Sequence, residues 1–374
     1  MTSGAHAPHG DVSAALRFAA LRFIGVAATN AATLEVRPLS GGHIHGSYVV
    51  SAGGPPVVLQ SLNEHVFPDL DAVAHNIALV TRALRSAAER DPRRERRRRL
   101  LVPVTSDHDR LVERAPDGTA WRAFQFIGDS HGVTATERPS QAAEAARAFG
   151  HFFRDLASLD ARGLRETIPH FHDTPRRVVA LEAAITADIA RRATDAAADI
   201  TFARVRHALG ARLMGALHAD RLPLRATHND AKIANVLFDD ATGEALCVVD
   251  LDTVMPGLAA WDVGDLVRSM AGDRAEDDPR PVTIRWPVLE ALLHGWIEAA
   301  GPALTAAERE SLVDGALVIT FEQGVRFLTD YLEADRYYNT TRADQNLDRA
   351  RAQFALLAAL EAGEDRLRRL VSSA

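Results

Sequence analysis

The feature that most constrains this chain is a polar loop that leads directly into a short β-hairpin. The loop occupies residues 228–235 and reads HNDAKIAN, and the hairpin reads VLFDD-ATGE-ALCVVDLD and ends near Asp250 and Asp252. Two apolar runs around a Thr-Gly turn predict paired strands. Because a hairpin returns the chain to its starting point, we expect Asn235 and Asp250 to be neighbours. The sequence thus predicts carboxylate and amide oxygens gathered beside one cation, Lys232.

These residue types suit phosphoryl transfer, which needs a carboxylate near the attacking hydroxyl, oxygen ligands for a metal and a positive charge near the transferred group. Asp230 is predicted to be the catalytic base, and Lys232 to neutralise charge on the γ-phosphate. Asn235 and Asp250 are predicted to hold Mg²⁺, with Asp252 as a further metal ligand. Lys232 is also the only lysine among the 43 basic residues. The competing interpretation is a helix N-cap and a polar turn before a buried strand.

The N-terminal third of the chain has strand patterns. After a helical pattern at 11–26, three β-branched-rich runs predict an antiparallel meander, a helix is predicted at 69–90, and two more runs predict strands. The five predicted strands are 34–39, 47–52, 57–62, 100–104 and 120–128.

Helical patterns dominate the rest of the chain. The predicted helices are 140–159, 175–196, 202–219, 286–300, 305–333 and 346–371. The predicted fold class is therefore α+β, with a small antiparallel β-sheet in domain 1–127 and a mainly helical domain 128–374, joined by a hinge near Gly128.

Composition excludes several classes of protein. A net charge of −7 opposes non-specific binding to nucleic acid, and the basic run at 93–99 is interpreted as a solvated helix end. We find no apolar run long enough to cross a bilayer, so no membrane partner is expected. The single Cys247 cannot form an internal disulfide and is predicted to lie in the core, which makes a cytoplasmic location the default. The oligomeric state stays open.

Several motifs together resemble a known family. HNDAKIANVLFD resembles the catalytic signature of the aminoglycoside phosphotransferase and choline kinase superfamily, which has a protein-kinase-like fold. VVDLDTVMPG, WDVGDLVR, IPHFHDTPRR and VRFLTDYLEADRYYNTTR resemble, more narrowly, the N-acetylhexosamine 1-kinases. The resemblance implies a bilobal enzyme with the nucleotide between its lobes. It also implies that ATP and Mg²⁺ are used to phosphorylate the anomeric hydroxyl of N-acetylglucosamine or N-acetylgalactosamine.

The resemblance also implies a nucleotide site in the N-terminal lobe. Gly41 and Gly42, in the turn after the first strand, are expected to cover the phosphates, since glycine lets backbone approach them closely. The backbone around Gln125 and Ile127 is expected to bind adenine. Gln60 stands where protein kinases have a phosphate-binding lysine; it is either a neutral donor to phosphate or only a polar residue at a strand end.

A third group of residues is expected to support the loop or bind the acceptor. His228, Asp262 and Asp265 are predicted to brace the catalytic loop, although helix N-capping is an alternative role for the two acids. For the acceptor sugar, the resemblance indicates the side chains Arg326, Tyr337 and, more weakly, His45. A surface salt bridge from Arg326 to Asp330 is the alternative, and metal binding by His43 and His45 is disfavoured because other ligands are missing.

Two other functions stay open. Phosphorylation of an aminoglycoside or an amino alcohol predicts an acidic pocket for a cationic substrate, for which the candidates are Glu308, Glu310, Glu333 and Asp335. A pseudokinase that binds nucleotide without transferring phosphate is conceivable because of Gln60. The complete set of Asp230, Lys232, Asn235 and Asp250 argues against it.

Overall fold

The computed structural model describes residues 13–25, 34–39, 44–90 and 98–374. The chain divides into two compact units. The first unit consists of Met1–Thr81 and Leu101–Gly128, and the second of Arg82–Leu100 and Asp129–Ala374.

The first unit is built on an antiparallel sheet. Its strands lie in the order β1-β2-β3-β6-β4, with β5 also paired to β6. Two helices accompany the sheet in sequence, α1 (Ala14–Ile24) before β1 and α2 (Leu70–Arg90) after β3. The strands are β1 (Glu35–Pro38), β2 (Gly46–Ser51), β3 (Val57–Ser61), β4 (Pro103–Val104), β5 (Glu113–Arg114) and β6 (Ala120–Gln125).

Alternation along the strands gives this sheet two different faces. Val57 and Leu59 of β3 pack in one buried cluster with Leu16 and Phe23 of α1. Because successive side chains of a strand point to opposite faces, Gln60 lies on the face away from that cluster, together with its cross-strand partner Arg122. This second face, which carries polar side chains, is called the polar face below.

The second unit is mainly helical and is centred on one long helix, α9. The pairs α3 and α8, α7 and α9, and α10 and α9 make the most extensive helix contacts. Its helices are α3 (Pro139–Asp155), α4 (Thr174–Ala187), α5 (Ala197–Val205), α6 (Ala211–His218), α7 (Ala259–Met270), α8 (Trp286–Ala300), α9 (Ala306–Leu332), α10 (Gln345–Ala362) and α11 (Glu364–Ser373).

Two small sheets lie within this helical unit and frame the polar loop. In one, β7 (Ser130–Gly132) pairs with β9 (Val236–Asp239), which pairs with β10 (Ala245–Val248). In the other, β8 (Arg225–Thr227) pairs with β11 (Met255–Gly257). The polar loop joins β8 to β9, so each of its ends is anchored in a sheet.

Helices α7 and α9 approach closely because glycines meet at their crossing. A Cβ atom on Gly315 of α9 would overlap the backbone of Ala260, and one on Gly264 of α7 would overlap the carbonyl of Gly315 and the side chain of Ile319. Close backbone approach of this kind needs residues without side chains. The crossing fixes α7 against the middle of α9.

The predicted fold class, an antiparallel sheet followed by a helical part, is confirmed. The three meander strands, the helix after them, the hairpin and the helices near 286–300 and 305–333 are found close to their predicted bounds. Cys247 lies buried on β10 as predicted, and burial raises the pKa of its thiol to about 12. No helix in the described ranges is long and apolar enough to cross a membrane.

Other predicted elements were wrong in their bounds or were missed. The helix predicted at 175–196 stops at Ala187 because Asp188 has a left-handed backbone (φ 35°) and accepts hydrogen bonds from the amides of Arg192 and Ala193. The helix at 202–219 is interrupted after Val205, and the one at 346–371 is interrupted at Gly363.

Five short or buried elements of the described chain, β5, β7, β8, β11 and α7, were not predicted at all. The four strands have only two or three residues each, too few for a visible alternation. The strand predicted at 100–104 was found, but it keeps only its last two residues. Helix α7 was missed because it is buried on nearly all sides and shows no polar stripe.

Candidate active site

The polar loop begins where β8 ends, and the side chain of Asn229 fixes its start by hydrogen bonds to the backbone. The Nδ2 atom of Asn229 lies 3.2 Å from the carbonyl oxygen of Thr227, 3.0 Å from that of Thr253 and 3.3 Å from that of Met255, and its Oδ1 accepts from the Thr227 hydroxyl. One side chain therefore bridges the backbone that enters the loop and the backbone that follows Asp250. This role of Asn229 was not predicted.

The side chain of Asp262, on α7, binds the backbone of the same loop. Its carboxylate accepts hydrogen bonds from the backbone amides of His228, at 2.9 Å, and Asn229, at 2.7 Å. Only 1% of Asp262 is exposed, and this burial raises its pKa to about 6 although the hydrogen bonds favour the ionised form. The geometry agrees with the predicted bracing role and not with capping of its own helix.

His228 connects the loop to the strand that ends before Asp250. Its Nε2 atom lies 3.0 Å from the carbonyl oxygen of Val249, and because a carbonyl only accepts, Nε2 carries the proton. The ring packs edge-on against Phe149, at 5.1 Å between centroids, and Phe152, at 5.8 Å, both on α3. Thus His228 contacts both α3 and the hairpin, and support of the loop stays its predicted role.

Asp230, Lys232 and Asn235 converge around one carboxylate. The Asp230 Oδ2 atom lies 2.8 Å from Lys232 Nζ and 3.0 Å from Asn235 Nδ2, which also donates to the Asp230 carbonyl oxygen at 2.8 Å. Side-chain exposure is 18% for Asp230 and 34% for Lys232, so both can reach a substrate. Burial acts to raise the pKa of Asp230, but the Lys232 ammonium prevails and lowers it, so the carboxylate is ionised at neutral pH.

Asn235 and Asp250 lie side by side at the base of the hairpin, as predicted. The amide of Val249 donates to the Asn235 carbonyl oxygen at 3.0 Å, directly before Asp250. Asn235 Nδ2 faces the oxygens of Asp230, so its Oδ1 points the other way and is available as a ligand. Asp250 has a left-handed backbone (φ 63°), a conformation that Asp and Asn tolerate better than most residues. Burial of Lys232 acts to lower its pKa, and the charge of Asp250 helps to raise it.

The donors at this position suit a hard divalent cation. A carboxylate and an amide oxygen are the ligand types that Mg²⁺ prefers, together with water and phosphate oxygens. Asp252, the further predicted ligand, is buried two residues on, and its backbone oxygen accepts from the Thr167 hydroxyl at 2.6 Å. The residues present therefore fit the predicted magnesium site.

A buried ion pair lies behind the loop and was not predicted. His172 Nε2 lies 2.9 Å from the Asn229 carbonyl oxygen, and its Nδ1 lies 2.9 Å from Glu322 Oε1 of α9, whose other oxygen accepts from the Thr174 hydroxyl. Both ring nitrogens face acceptors, which favours the imidazolium form. Burial works against the charge, yet Glu322 prevails and raises the pKa of His172.

Asp265 takes a different position from Asp262. It does not bond the loop backbone; its carboxylate accepts from Arg268 Nε at 2.6 Å and lies 4.0 Å from His172 Nε2. Burial raises the pKa of Asp265, and Arg268 opposes that shift. The predicted support from Asp265 is therefore electrostatic, through the charges around the loop.

One turn beyond Glu322, Arg326 lies among aromatic rings. Its guanidinium carbon is 5.0 Å from the ring centroid of Phe171, 5.9 Å from that of Tyr337 and 5.7 Å from that of Tyr338. Arg326 and Tyr337 are thus brought together, as the acceptor-site prediction requires. The alternative salt bridge to Asp330 was wrong, because the Asp330 carboxylate accepts from the backbone amides of residues 336–338 and from Asn346.

A second arginine, Arg177, belongs to this group and was missed. Its Nη2 atom donates to the carbonyl oxygens of His170 and Phe171, at 3.3 and 3.0 Å, while Arg326 lies over the Phe171 ring. Burial and the charge of Arg326 lower the pKa of Arg177. In the described ranges neither arginine forms an ion pair with a carboxylate. The motif IPHFHDTPRR contains both Arg177 and His172, so the signal was present without an assigned role.

The four acids considered for a cationic substrate do not form one pocket. Glu308 caps the start of α9 and pairs with Arg225 at 2.8 Å, whereas Glu333 follows the other end of the helix, about 37 Å away at 1.5 Å per residue. Asp335 pairs with Arg192 at 2.6 Å, and Glu310 and Glu333 are exposed. The four acids therefore do not by themselves provide an acidic pocket, and phosphorylation of an aminoglycoside or an amino alcohol stays an open alternative.

In the first unit, Gln60 is part of a polar row across the sheet. Gln60 Nε2 donates to the Ser47 hydroxyl at 3.0 Å, and Gln60 Oε1 accepts from Arg122 Nε at 2.9 Å. Gln60 is therefore more than an isolated strand-end residue.

The other predicted residues of this unit lie at its strand ends. Nδ1 of His45 accepts from the backbone amide of Asn63 at 3.1 Å. Gln125 is the last residue of β6 and is exposed, and Ile127 is buried two residues later. Gly41, Gly42 and His43 lie outside the described residues.

Three solved structures with a similar fold are distant from this chain in sequence. The aminoglycoside phosphotransferase of Alicyclobacillus acidocaldarius is 14% identical, with a TM-score of 0.58, and the match covers 91% of this chain and 94% of that one. The choline kinase of Cryptosporidium parvum is 12% identical (TM-score 0.54; 92% and 95% covered). The GDP complex of aminoglycoside 2′-phosphotransferase-IIIa is 12% identical (TM-score 0.57; 94% and 100% covered).

These likenesses establish the fold, with kinase-like phosphotransferases as neighbours. At the level of sequence, residues 35–303 match the family described as the phosphotransferase enzyme family, APH. That range includes the sheet of the first unit, the polar loop, the hairpin and α7. The chain belongs to the phosphotransferase enzyme family.

Proposed function

We propose that this protein is an ATP- and Mg²⁺-dependent kinase that phosphorylates the anomeric hydroxyl of an N-acetylhexosamine, N-acetylglucosamine or N-acetylgalactosamine, to give the sugar 1-phosphate. The observation that carries the proposal is the convergence of Lys232 and Asn235 on the Asp230 carboxylate, at 2.8 and 3.0 Å, on a loop braced by Asp262 and closed by Asn229. Preorganised groups of this kind are what phosphoryl transfer requires of a protein.

In the proposed reaction Asp230 orients the sugar hydroxyl and accepts its proton. The lowered pKa of Asp230 makes it a weak base, which suffices because the transition state of phosphoryl transfer is loose and the proton leaves late. Lys232 offers its ammonium to the transferred group. Asn235 and Asp250 would hold magnesium, which when bound would supply neutralising charge to the phosphates.

Nucleotide use is proposed from several features. The family is one of phosphotransferases, and one similar solved structure is a GDP complex. Gln125 and Ile127 remain the proposed adenine-binding positions, and Gly41 and Gly42 the proposed phosphate cover. Asp230→Asn tests this division of roles: turnover should be lost while ATP binding, measured by calorimetry, stays within about threefold of wild type. Turnover close to wild type would remove Asp230 from the mechanism.

The charges around Arg326 favour a neutral acceptor over a cationic one. Among the described residues, Arg177, Arg326 and the imidazolium of His172 meet two carboxylates, Glu322 and Asp265. Asp265 is itself paired with Arg268, so positive charge is in excess around this group. An aminoglycoside or amino alcohol would bring like charge to these guanidiniums. Stacking on Tyr337 and hydrogen bonds from guanidinium groups suit sugar hydroxyls and the acetamido carbonyl. His45 is retained as a weaker candidate for sugar binding.

The decisive experiment compares acceptors with and without a free anomeric hydroxyl. ADP release is measured with N-acetylglucosamine, N-acetylgalactosamine, the methyl glycosides of both sugars, kanamycin and choline. We expect turnover with the free sugars only, and a ³¹P spectrum in which phosphorus couples to the anomeric proton. Turnover with a methyl glycoside would exclude the anomeric hydroxyl as acceptor, and turnover with kanamycin or choline alone would establish the alternative phosphotransferase.

A pseudokinase is distinguished in the same experiment. It would bind ATP and release no ADP with any acceptor. Asp230→Asn would then have no effect on turnover, because the wild-type protein would show none.

A further inference from the structure

Three polar side chains form a row on the polar face of the first sheet. Ser47 of β2 is paired with Gln60 of β3, and Gln60 is paired with Arg122 of β6. The side chains are linked in the same order, at 3.0 Å from Gln60 Nε2 to Ser47 Oγ and at 2.9 Å from Arg122 Nε to Gln60 Oε1. Of these three residues, only Gln60 was predicted to have a role, as the residue that replaces a lysine.

The hydrogen bonds of this row can run in one direction only. Arg122 Nε has a proton and no acceptor function, so the Gln60 atom that faces it must be the oxygen. The Gln60 nitrogen therefore faces Ser47 and donates to its hydroxyl oxygen. Ser47 keeps its own proton to donate, and the Gln60 nitrogen keeps a second one. The row thus begins with the Arg122 cation and ends in two neutral donors, the Gln60 amide N–H and the Ser47 hydroxyl.

Burial places the charge behind these donors. Arg122 is 3% exposed and lies over the ring of Phe124, at 5.1 Å from the guanidinium carbon to the centroid. Gln60 and Ser47 are only partly buried. In surroundings of low dielectric constant, a cation that donates to an amide oxygen polarises the amide and strengthens its N–H donors. The outer end of the row is therefore suited to an anion.

We propose that the outer end of this row, Gln60 Nε2–H and Ser47 Oγ–H, binds the α- and β-phosphates of the nucleotide in place of a lysine on β3. Arg122 is a positioning residue: it fixes the orientation of the Gln60 amide and supplies its polarisation. The inference rests on the proposed nucleotide-dependent function. The row would hold the α- and β-phosphates in a chain whose single lysine, Lys232, lies in the catalytic loop.

The test separates binding of phosphate from binding of adenosine. Dissociation constants of ATP, ADP and adenosine are measured by calorimetry, or by competition with a fluorescent nucleotide, for wild type, Ser47→Ala and Arg122→Gln. We expect Arg122→Gln to bind ADP and ATP at least about tenfold more weakly, ~1.4 kcal/mol, and Ser47→Ala at least about threefold more weakly, with adenosine unchanged. Ser51→Ala is the matched control, since Ser51 is also a serine of β2, four residues along, hydrogen-bonded to Glu35.

A relocated charge distinguishes this role from a structural one. Arg122 is buried, so Arg122→Gln is examined by circular dichroism and thermal melting and is then combined with Gln60→Lys. The double variant carries the cation on β3. We expect it to recover at least half of the preference for ADP over adenosine that Arg122→Gln loses, measured as the logarithm of the ratio of the two dissociation constants.

Each other outcome overturns the inference. Equal weakening of ADP and adenosine, or no recovery in the double variant, would make the row structural. An unchanged preference for ADP in Ser47→Ala and Arg122→Gln would show that the phosphates bind elsewhere while the proposed function stands. Failure of the wild-type protein to bind any nucleotide would overturn both proposals.

Discussion

Replacing Asp262 by asparagine separates the position of the catalytic loop from the stability of the fold. The Asp262 carboxylate is almost fully buried and accepts two backbone amides of the loop. Asparagine has the same shape but one acceptor oxygen, and its NH₂ group would face the other amide. We expect kcat to fall at least about tenfold, because Asp230 directly follows the two amides, while the dissociation constant of ATP changes less than about threefold.

The effect on stability follows from the raised pKa. Burial raises the pKa of Asp262 from 3.8 to about 6. A pKa difference of one between the folded and unfolded chains corresponds to about 1.4 kcal/mol. Ionisation of Asp262 therefore costs about 3 kcal/mol in the folded state above pH 6. This cost is already net of the two hydrogen bonds, which favour the ionised form. The asparagine variant avoids it, so at pH 7 we expect Asp262→Asn to raise the free energy of unfolding by up to about 3 kcal/mol.

The pH dependence gives this prediction a sign. Below pH 3.8 the carboxyl is protonated in both folded and unfolded chains and contributes nothing. Between 3.8 and about 6 the folded state binds more protons, so the contribution of Asp262 to stability falls as pH rises and is constant above 6. Relative to wild type, Asp262→Asn should gain about 3 kcal/mol between pH 3.8 and pH 7.

Urea denaturation at these pH values, combined with steady-state kinetics at pH 7, tests the argument. Glu310→Gln, which removes an exposed acid from α9 in the same unit, is the control and should change neither quantity. A variant less stable than wild type at pH 7 would show that the two hydrogen bonds outweigh burial. A variant with wild-type kcat would show that the loop keeps its position without the carboxylate.

Four further predictions concern other parts of the second unit. Lys232→Arg should lower kcat at saturating substrates at least about tenfold, or ~1.4 kcal/mol, because a planar guanidinium cannot take the place of a compact ammonium beside Asp230; unchanged kcat would make the lone lysine an accident of composition. Asp250→Ala should raise the Mg²⁺ concentration for half-maximal activity at least about tenfold, with partial rescue by excess Mg²⁺, and an unaltered Mg²⁺ titration would refute its role as a ligand. His172→Gln should reduce the urea midpoint most below pH 6.5 and progressively less as pH rises, because a raised pKa gives stability that is lost on deprotonation, and a deficit independent of pH would contradict the imidazolium form. Gly315→Ala should lower the free energy of unfolding by at least about 2 kcal/mol, since its methyl group would overlap the backbone of α7, and wild-type stability would mean that the crossing can relax.

The parts of the candidate site that sequence predicted are close together along the chain. Asp230, Lys232 and Asn235 lie within six residues, and a hairpin of known length returns the chain to Asp250. Local turn chemistry is enough to bring such groups together. The same reasoning identified Asp262 as a supporting acid only through the resemblance of WDVGDLVR, because nothing in residue spacing shows which backbone amides a buried acid will meet.

The missed residues depend on contacts between distant segments. His172 and Glu322 are 150 residues apart, and their contact exists because α9 crosses behind the loop. A signal was available, since Glu322 interrupts the apolar stretch ALVITFEQGV in the middle of a helix, and a buried charge in such a place needs a partner. Its partner could not be named from sequence, because register between helices is set by packing and not by periodicity.

Arg122 shows the same limit in a sheet. Five of the six strands of the first unit were predicted at least in part, but the meander gives no indication that β6 pairs with β3. That pairing places Arg122, 62 residues after Gln60, directly beside it. Long-range strand order decides which side chains face each other, and a shift by one residue would turn Arg122 to the opposite face. The missing lysine and the Gln60 in its place were visible in the sequence, whereas Ser47 and Arg122, the other members of the proposed row, were not.

The central helix α9 connects the proposed acceptor site to the catalytic loop. Glu322 and Arg326 lie one turn apart on it, so the same rigid helix holds His172 against the Asn229 carbonyl and places Arg326 among the rings of Phe171 and Tyr337. Gly315, two turns earlier, lets α7 approach closely enough for Asp262 to reach the loop from the other direction. The position of Asp230 relative to the proposed sugar pocket is therefore determined by the packing of α9, and a rotation of this helix would displace the base and the pocket together.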